Sequence, residues 1–196
     1  IKKLRFGKLN NMLSKIIDKF IAHDDIELID NSFDPSQDIL LKIDPEKLKT
    51  KPFDYQIEGI NYGLNHDKWL LLDAPGLEKF IVIYIAETLK KQNLIEHCLI
   101  ICGINTLKYN WKKEIYKHGT EDAIILGERI TTKGKIIKEG IKYRKEQLSK
   151  KINEFFIIVN IETLRDDEIV KLINNGKNKI DMIVVDEIHH CKSPTS

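Results

Sequence analysis

The stretch "DMIVVDEIHHCKSPTS", residues 181–196, runs from four apolar residues, Met182 to Val185, straight into two acids, Asp186 and Glu187. A short continuous apolar run without polar alternation reads as a strand covered on both faces. Strands of that kind belong to parallel sheets with helices packed above and below. Ligands of such sheets bind beyond the carboxyl ends of the strands, where these two acids fall. Adjacent carboxylates there suit nucleotide hydrolysis: Asp186 holds Mg2+, and Glu187 orients and deprotonates the attacking water. A strand end capped by solvated acids is the plainer alternative. The continuation "IHHCKSPTS" makes a longer pattern than a bare acid pair and favours hydrolysis.

Further upstream, apolar runs alternate with helical segments. The runs Trp69–Leu72, Cys98–Cys102, Ala123–Leu126, Phe156–Asn160 and Met182–Asp186 are expected as strands of one mainly parallel sheet. Helices are expected near Tyr55–Asn65, in "IVIYIAETLKKQ", in "TLKYNWKKEIYKHG", as a long basic helix from about Lys133 to Ile152, and in "DDEIVKLINNGK". Before them, residues 2–22 carry apolar side chains at helical spacing, an acidic linker follows, and "ILLKID" is a short strand candidate. The reading is an appendage over 1–50 and an α/β domain over 51–196.

The chain has 196 residues, enough for one domain with an appendage. Its net charge of +2 is near balance, so bulk charge gives no argument for nucleic acid. Cys98, Cys102 and Cys191 form no CxxC pair, and the first two lie in an apolar run as buried small residues. No stretch reaches the roughly 18 to 20 apolar residues of a membrane span. The basic N-terminal segment interleaves charge with apolar residues, unlike a signal peptide. A reduced, cytoplasmic setting is expected. The Lys, Ile and Asn bias fits a bacterial or phage-infected cell.

"DAPGLEKF", Asp73 to Phe80, also follows an apolar run. A phosphate loop wraps phosphates with backbone N–H groups, reaches them with a Lys, and offers a Ser or Thr hydroxyl to Mg2+. Gly76 and Lys79 fit that pattern. Glu78 sets a charged side chain where backbone must approach phosphate, and Phe80 cannot ligate a metal. Both changes oppose ATP and Mg2+ binding, at about 1 to 3 kcal/mol for each lost polar term.

"DEIHHCKSPTS" resembles motif II of superfamily II helicases, in particular the Swi/Snf-type DNA-dependent ATPases. Other segments follow in that family's order. "FDYQIEGINY" is similar to the segment before the phosphate loop, and the resemblance assigns Gln56 to the adenine edge. "LLLDAPGLEKF" sits where the family carries Asp-Glu-x-Gly-Leu-Gly-Lys-Thr. "CLIICGINTLKYNWKKEIYKH" resembles motif Ia and its helix, with Asn110, Trp111 and Glu114. "FFIIVNIETLRDD" resembles motif Ib. The likeness covers about residue 50 onward. It implies a RecA-like P-loop NTPase fold, the first of two lobes, with His189 coupling the nucleotide site to motif III. It also implies a second lobe that brings the arginine finger, and ATP-driven work on duplex DNA. By position in motifs Ia and Ib, it makes Thr106, Lys108, Thr163 and Arg165 nucleic-acid contacts.

The basic segment around Lys133–Lys151 reads as a solvated helix face, with phosphate contact as the alternative. Trp111 reads as a packing residue rather than a base-stacking one. Adjacent histidines such as His189 and His190 rarely chelate one ion. Two readings of function remain. One is the ATP-binding lobe of a helicase-like DNA-dependent ATPase, inactive alone. The other is an inactive remnant that binds DNA or a protein partner. A restriction-type or RNA helicase motor of the same superfamily ranks below both, because of Asn110-Trp111 and "HHCKSPTS". The altered loop is either native to a lobe that has lost hydrolysis or a local change to the sequence.

Overall fold

The computed structural model describes residues 43–69, 71, 78–103 and 105–186. The expected helix over 2–22, most of "ILLKID", and Gly76, Glu187 and His189 lie outside the described residues. Helix α1 (Asp54–Leu64) precedes α2 (Glu78–Lys91), β1 (His97–Cys102), α3 (Asn105–His118) and β2 (Ala123–Ile125). A two-stranded hairpin, β3 (Glu128–Ile130) and β4 (Ile136–Lys138), leads into α4 (Ile141–Ser149). Then come β5 (Phe156–Asn160), a 3-10 helix (Ile161–Arg165), α5 (Asp167–Asn175) and β6 (Ile180–Val185).

The main sheet has the order β2-β5-β1-β6, and all three pairings are parallel. Every residue of β1 and of β5 is buried, which is why those runs show no polar alternation. Alternate residues of one strand feed opposite layers. Leu99 and Ile101 of β1, with Ile157 and Val159 of β5, pack against Leu148 of α4 and Ile169 and Ile173 of α5. Cys98, Ile100 and Cys102, with Phe156 and Ile158, pack against Ile83 and Ala86 of α2 and Trp111 and Ile115 of α3. The sheet is therefore covered on both faces, an α/β fold consistent with a RecA-like domain. Each fully buried Ile or Leu contributes about 1.5–3 kcal/mol.

Helix α1 lies on the outside of α2, where Ile60 and Leu64 meet Ile81, Tyr84 and Ile85. The approach is close because Gly59 and Gly63 face Ile81 and Ile85; a Cβ on Gly63 would stand 2.4 Å from the Ile85 Cδ1. Of the expected strand at Trp69–Leu72, Trp69 and Leu71 are described. Both pack against core residues, and neither is assigned to a strand.

The long basic helix expected over Lys133–Ile152 is a correction. Its first half is the β3–β4 hairpin, with Ile130 opposite Ile136. Gly134 takes φ +74 in the connecting turn, a conformation that favours glycine. The turn closes with Gly134 N donating to Thr131 O at 2.8 Å and Lys135 N to Thr131 Oγ1 at 3.0 Å. Only the second half is helical, starting after Gly140. Lysines at intervals suit either period. The β-branched Ile130, Thr131 and Thr132 before a Gly turn are the signal that decides for strand.

Candidate nucleotide and nucleic-acid site

Strand β6 continues its ladder one residue further, with Asp186 N donating to Ile101 O at 2.9 Å. That bond fixes Asp186 at the carboxyl edge of the sheet, and its side chain is buried. Helix α2 opens at Glu78 on the same edge and brings Lys79 to it: Lys79 Nζ lies 3.7 Å from Asp186 Oδ2. Trp111, from the middle of α3, completes the group. Its indole Nε1 donates to the same Oδ2 at 2.7 Å, and Lys79 Nζ sits 5.1 Å from the centre of its ring. A buried ion pair gives little net stability, because taking both charges out of water costs about what their attraction returns.

The neighbouring Cys102 is buried at the end of β1. Burial, then the nearby Asp186 charge, pushes its thiol up to about 12.

Phe80, one residue after Lys79, belongs to a different environment. Its ring is buried, edge-on to Tyr84 at 4.6 Å and to His118 at 5.1 Å between centroids. The segment before α1 ties this seam together. Tyr84 Oη accepts from Thr50 N at 3.0 Å, His118 Nδ1 and Thr50 Oγ1 are 3.0 Å apart, and Lys49 Nζ donates to Tyr116 O at 2.6 Å. His118 Nε2 pairs with Glu114 Oε2 at 3.0 Å. Burial holds the His118 pKa below its ordinary value, helped by Lys117. No sequence signal marked His118, because Thr50 and Phe80, which it meets on the far side of the seam, are distant in the chain.

Gln56 is buried on α1, and its Oε1 accepts from Phe53 N at 3.0 Å, closing the start of its own helix. The four nucleic-acid candidates divide. Thr106 and Arg165 are exposed. Lys108 is buried, and its ammonium pKa is lowered by burial and by nearby Arg144. Thr163 is buried with its hydroxyl engaged: it accepts from Arg144 Nη1 at 2.7 Å and donates to Asn160 Oδ1 at 2.7 Å. Arg144 and Asn160, which sequence reading left without a role here, thus anchor the segment after β5.

A family model for the type III restriction enzyme res subunit matches residues 49–196. The chain belongs to this family. It is a ResIII domain, the N-terminal lobe type of helicase superfamily II. No curated protein gives a significant match to the chain. ResIII domains generally bind ATP with Mg2+, and helicase-family domains usually bind nucleic acid. No helix among the described residues is long and apolar enough to cross a membrane.

The described residues of this ResIII domain do not fit a metal-bound nucleotide. Position 80, where a hydroxyl would reach the metal, carries an aromatic ring packed in the core. Asp186 Oδ2 is already shared by Trp111 and Lys79.

Proposed function

We propose that this ResIII domain is the first lobe of a Swi/Snf-type, DNA-dependent ATPase, and that its own nucleotide site is disabled. The juxtaposition of Lys79 with Asp186 carries the first half: a phosphate-seeking cation and a metal-seeking carboxylate share one sheet edge. Phe80 in the core carries the second half. In this reading Gly76 and Lys79 descend from a phosphate cradle, Gln56 from an adenine contact, and Glu187 from the group that activates water. His189 links that site to the motor's later motifs. Thr106 and Arg165 face duplex DNA directly, while Lys108 and Thr163 support that surface from beneath. Asn110-Trp111 supports the Swi/Snf subtype over the restriction-type motor. Full turnover needs a second lobe with an arginine finger, worth about 10³–10⁵ in rate. The burial of Phe80 equally favours a second reading, a non-hydrolysing module that binds DNA or protein.

Calorimetric titration with Mg-ATP and a phosphate-release assay, each with and without duplex DNA, test the proposal. The chain as written should bind weakly and release phosphate at background. The Glu78→Gly, Phe80→Thr double variant should gain Mg-ATP binding without turnover. Robust hydrolysis by the unmodified chain would overturn it.

A further inference from the structure

Phe53 and Tyr55 stand at the start of α1 with their rings stacked, centroids 5.8 Å apart and planes 8° from parallel, yet they are 65% and 42% exposed. Tyr62, two turns on from Tyr55, is 39% exposed and stacks on His66 at 3.9 Å. At that spacing Tyr55 and Tyr62 share one face of the helix, and Glu58 lies between them. This face points away from the side that meets Ile81 and Ile85 of α2. Asp54 and Glu58, four residues apart, make no ion pair with a described residue. The outer face of α1 is thus aromatic and acidic, and both properties narrow what covers it. A polyanion is repelled. A second copy of the same face would set acid against acid.

The chain itself carries a complement. Residues 2–22 hold six basic residues against the acid Asp18. At helical spacing Leu9, Leu13, Ile16 and Phe20 form one apolar stripe, and Lys8, Lys15 and Lys19 follow its border. Lys15 and Lys19 repeat the four-residue spacing of Asp54 and Glu58, so two antiparallel helices bring the charges into register. The path of the chain suits this partner. Ile43 N donates to Asn61 Oδ1 at 3.2 Å, which brings the incoming chain to the border of the same face. Residues 23–42 reach at most about 70 Å when extended, several times the length of α1. Such a tether holds its end at an effective concentration of about millimolar, so a weak contact is enough.

We propose that residues 2–22 dock in cis on the outer face of α1 as an antiparallel helix. Leu13 meets Tyr62, Phe20 meets Tyr55, and Lys15 and Lys19 pair with Glu58 and Asp54. The segment gives α1 a packing partner opposite α2. This docking goes beyond the nucleotide-site reading and does not depend on whether that site is disabled.

The test uses the full chain. A carbodiimide couples carboxylates to amines only in direct contact, and a mixture of isotope-labelled and unlabelled chain separates cis products from trans. Coupling of Lys15 to Glu58, or of Lys19 to Asp54, should appear within one chain. Hydrogen exchange of residues 9–20 should be slower by about tenfold or more than in Leu13→Asp with Phe20→Asp. Both changes fall outside the α/β domain, so β1 and β5 should exchange equally slowly in parent and variant. Asp54→Lys with Glu58→Lys should abolish the protection, and adding Lys15→Glu with Lys19→Glu should restore it. Mixed-isotope products in place of cis ones would overturn the assignment and give the face to a second copy. Equal exchange of residues 9–20 in the parent and in the Leu13→Asp, Phe20→Asp chain would overturn docking altogether. Charge reversal without rescue would overturn the antiparallel register. Protection seen only with anionic lipid vesicles would give the segment to a membrane surface instead.

Discussion

The indole N–H of Trp111 and the carboxylate of Asp186 meet at 2.7 Å across 75 residues of sequence. This bond joins the middle of α3 to the end of β6, and it leaves Lys79 to approach the same oxygen from α2. Trp111 therefore packs as a core residue and also holds the Asp186 carboxylate in place.

Replacing Trp111 with Phe keeps a ring and deletes the donor. The buried carboxylate loses a hydrogen bond to a charged group, at about 1.5–3 kcal/mol. Urea unfolding should show that loss for Trp111→Phe and a much smaller further loss when Asp186→Asn is added. Additive losses would mean that the bond is incidental to stability.

Phe80→Thr should destabilise the domain by about 2–4 kcal/mol, through the transfer and cavity terms of a large-to-small core change. Phe80→Leu should recover more than half of it. A Thr variant as stable as the parent would place the ring outside the core.

His118 should give the domain a pH dependence of defined sign. Its folded-state pKa lies below the usual 6.5, so the unfolded chain takes the proton first as pH falls. The stability from neutral His118 is whole above about pH 6.5 and is lost progressively as pH drops below that value. Urea midpoints at about pH 7.5 and 5.5 should differ for the parent and differ less for His118→Gln. A parent that gains stability on acidification contradicts the burial argument.

Gly63→Ala should destabilise despite the helix preference for alanine. The added carbon meets Ile85 Cδ1 at 2.4 Å and the Trp69 ring at 3.2 Å, and Ile85 is fully buried, so it has nowhere to swing. Overpacking of about 1–3 kcal/mol exceeds the roughly 1 kcal/mol gained in propensity. Adding Ile85→Val should restore most of the stability. A more stable Gly63→Ala alone would show that α1 is free to move away.

Strands β1 and β5 were legible because burial on both faces leaves a signature within five or six residues, as in "HCLIIC" and "FIIVN"; β2 and β6 were legible as apolar runs although they are only partly buried. The hairpin was not, because lysines spaced through Lys133–Lys151 carry no period of their own and the turn is marked by one glycine alone, Gly134. Lys79 and Asp186 were visible as a pattern of spaced motifs. The Trp111 bond to Asp186, and the Thr50–His118–Phe80 seam, were invisible for one reason: each depends on side chains brought together only when distant elements pack. Arg144 on Thr163 is a third case, with a half-buried basic residue turned inward where composition suggested solvent.

That seam also constrains the history this domain can have. Thr50, Tyr84 and His118 are now fitted to a ring at position 80, and their hydrogen bonds close around it. A hydroxyl residue placed there alone would open a void in the core. The interior thus acts as a ratchet. Selection for folding alone would hold the aromatic there, and a smaller residue would be tolerated only with coordinated change at several neighbouring sites.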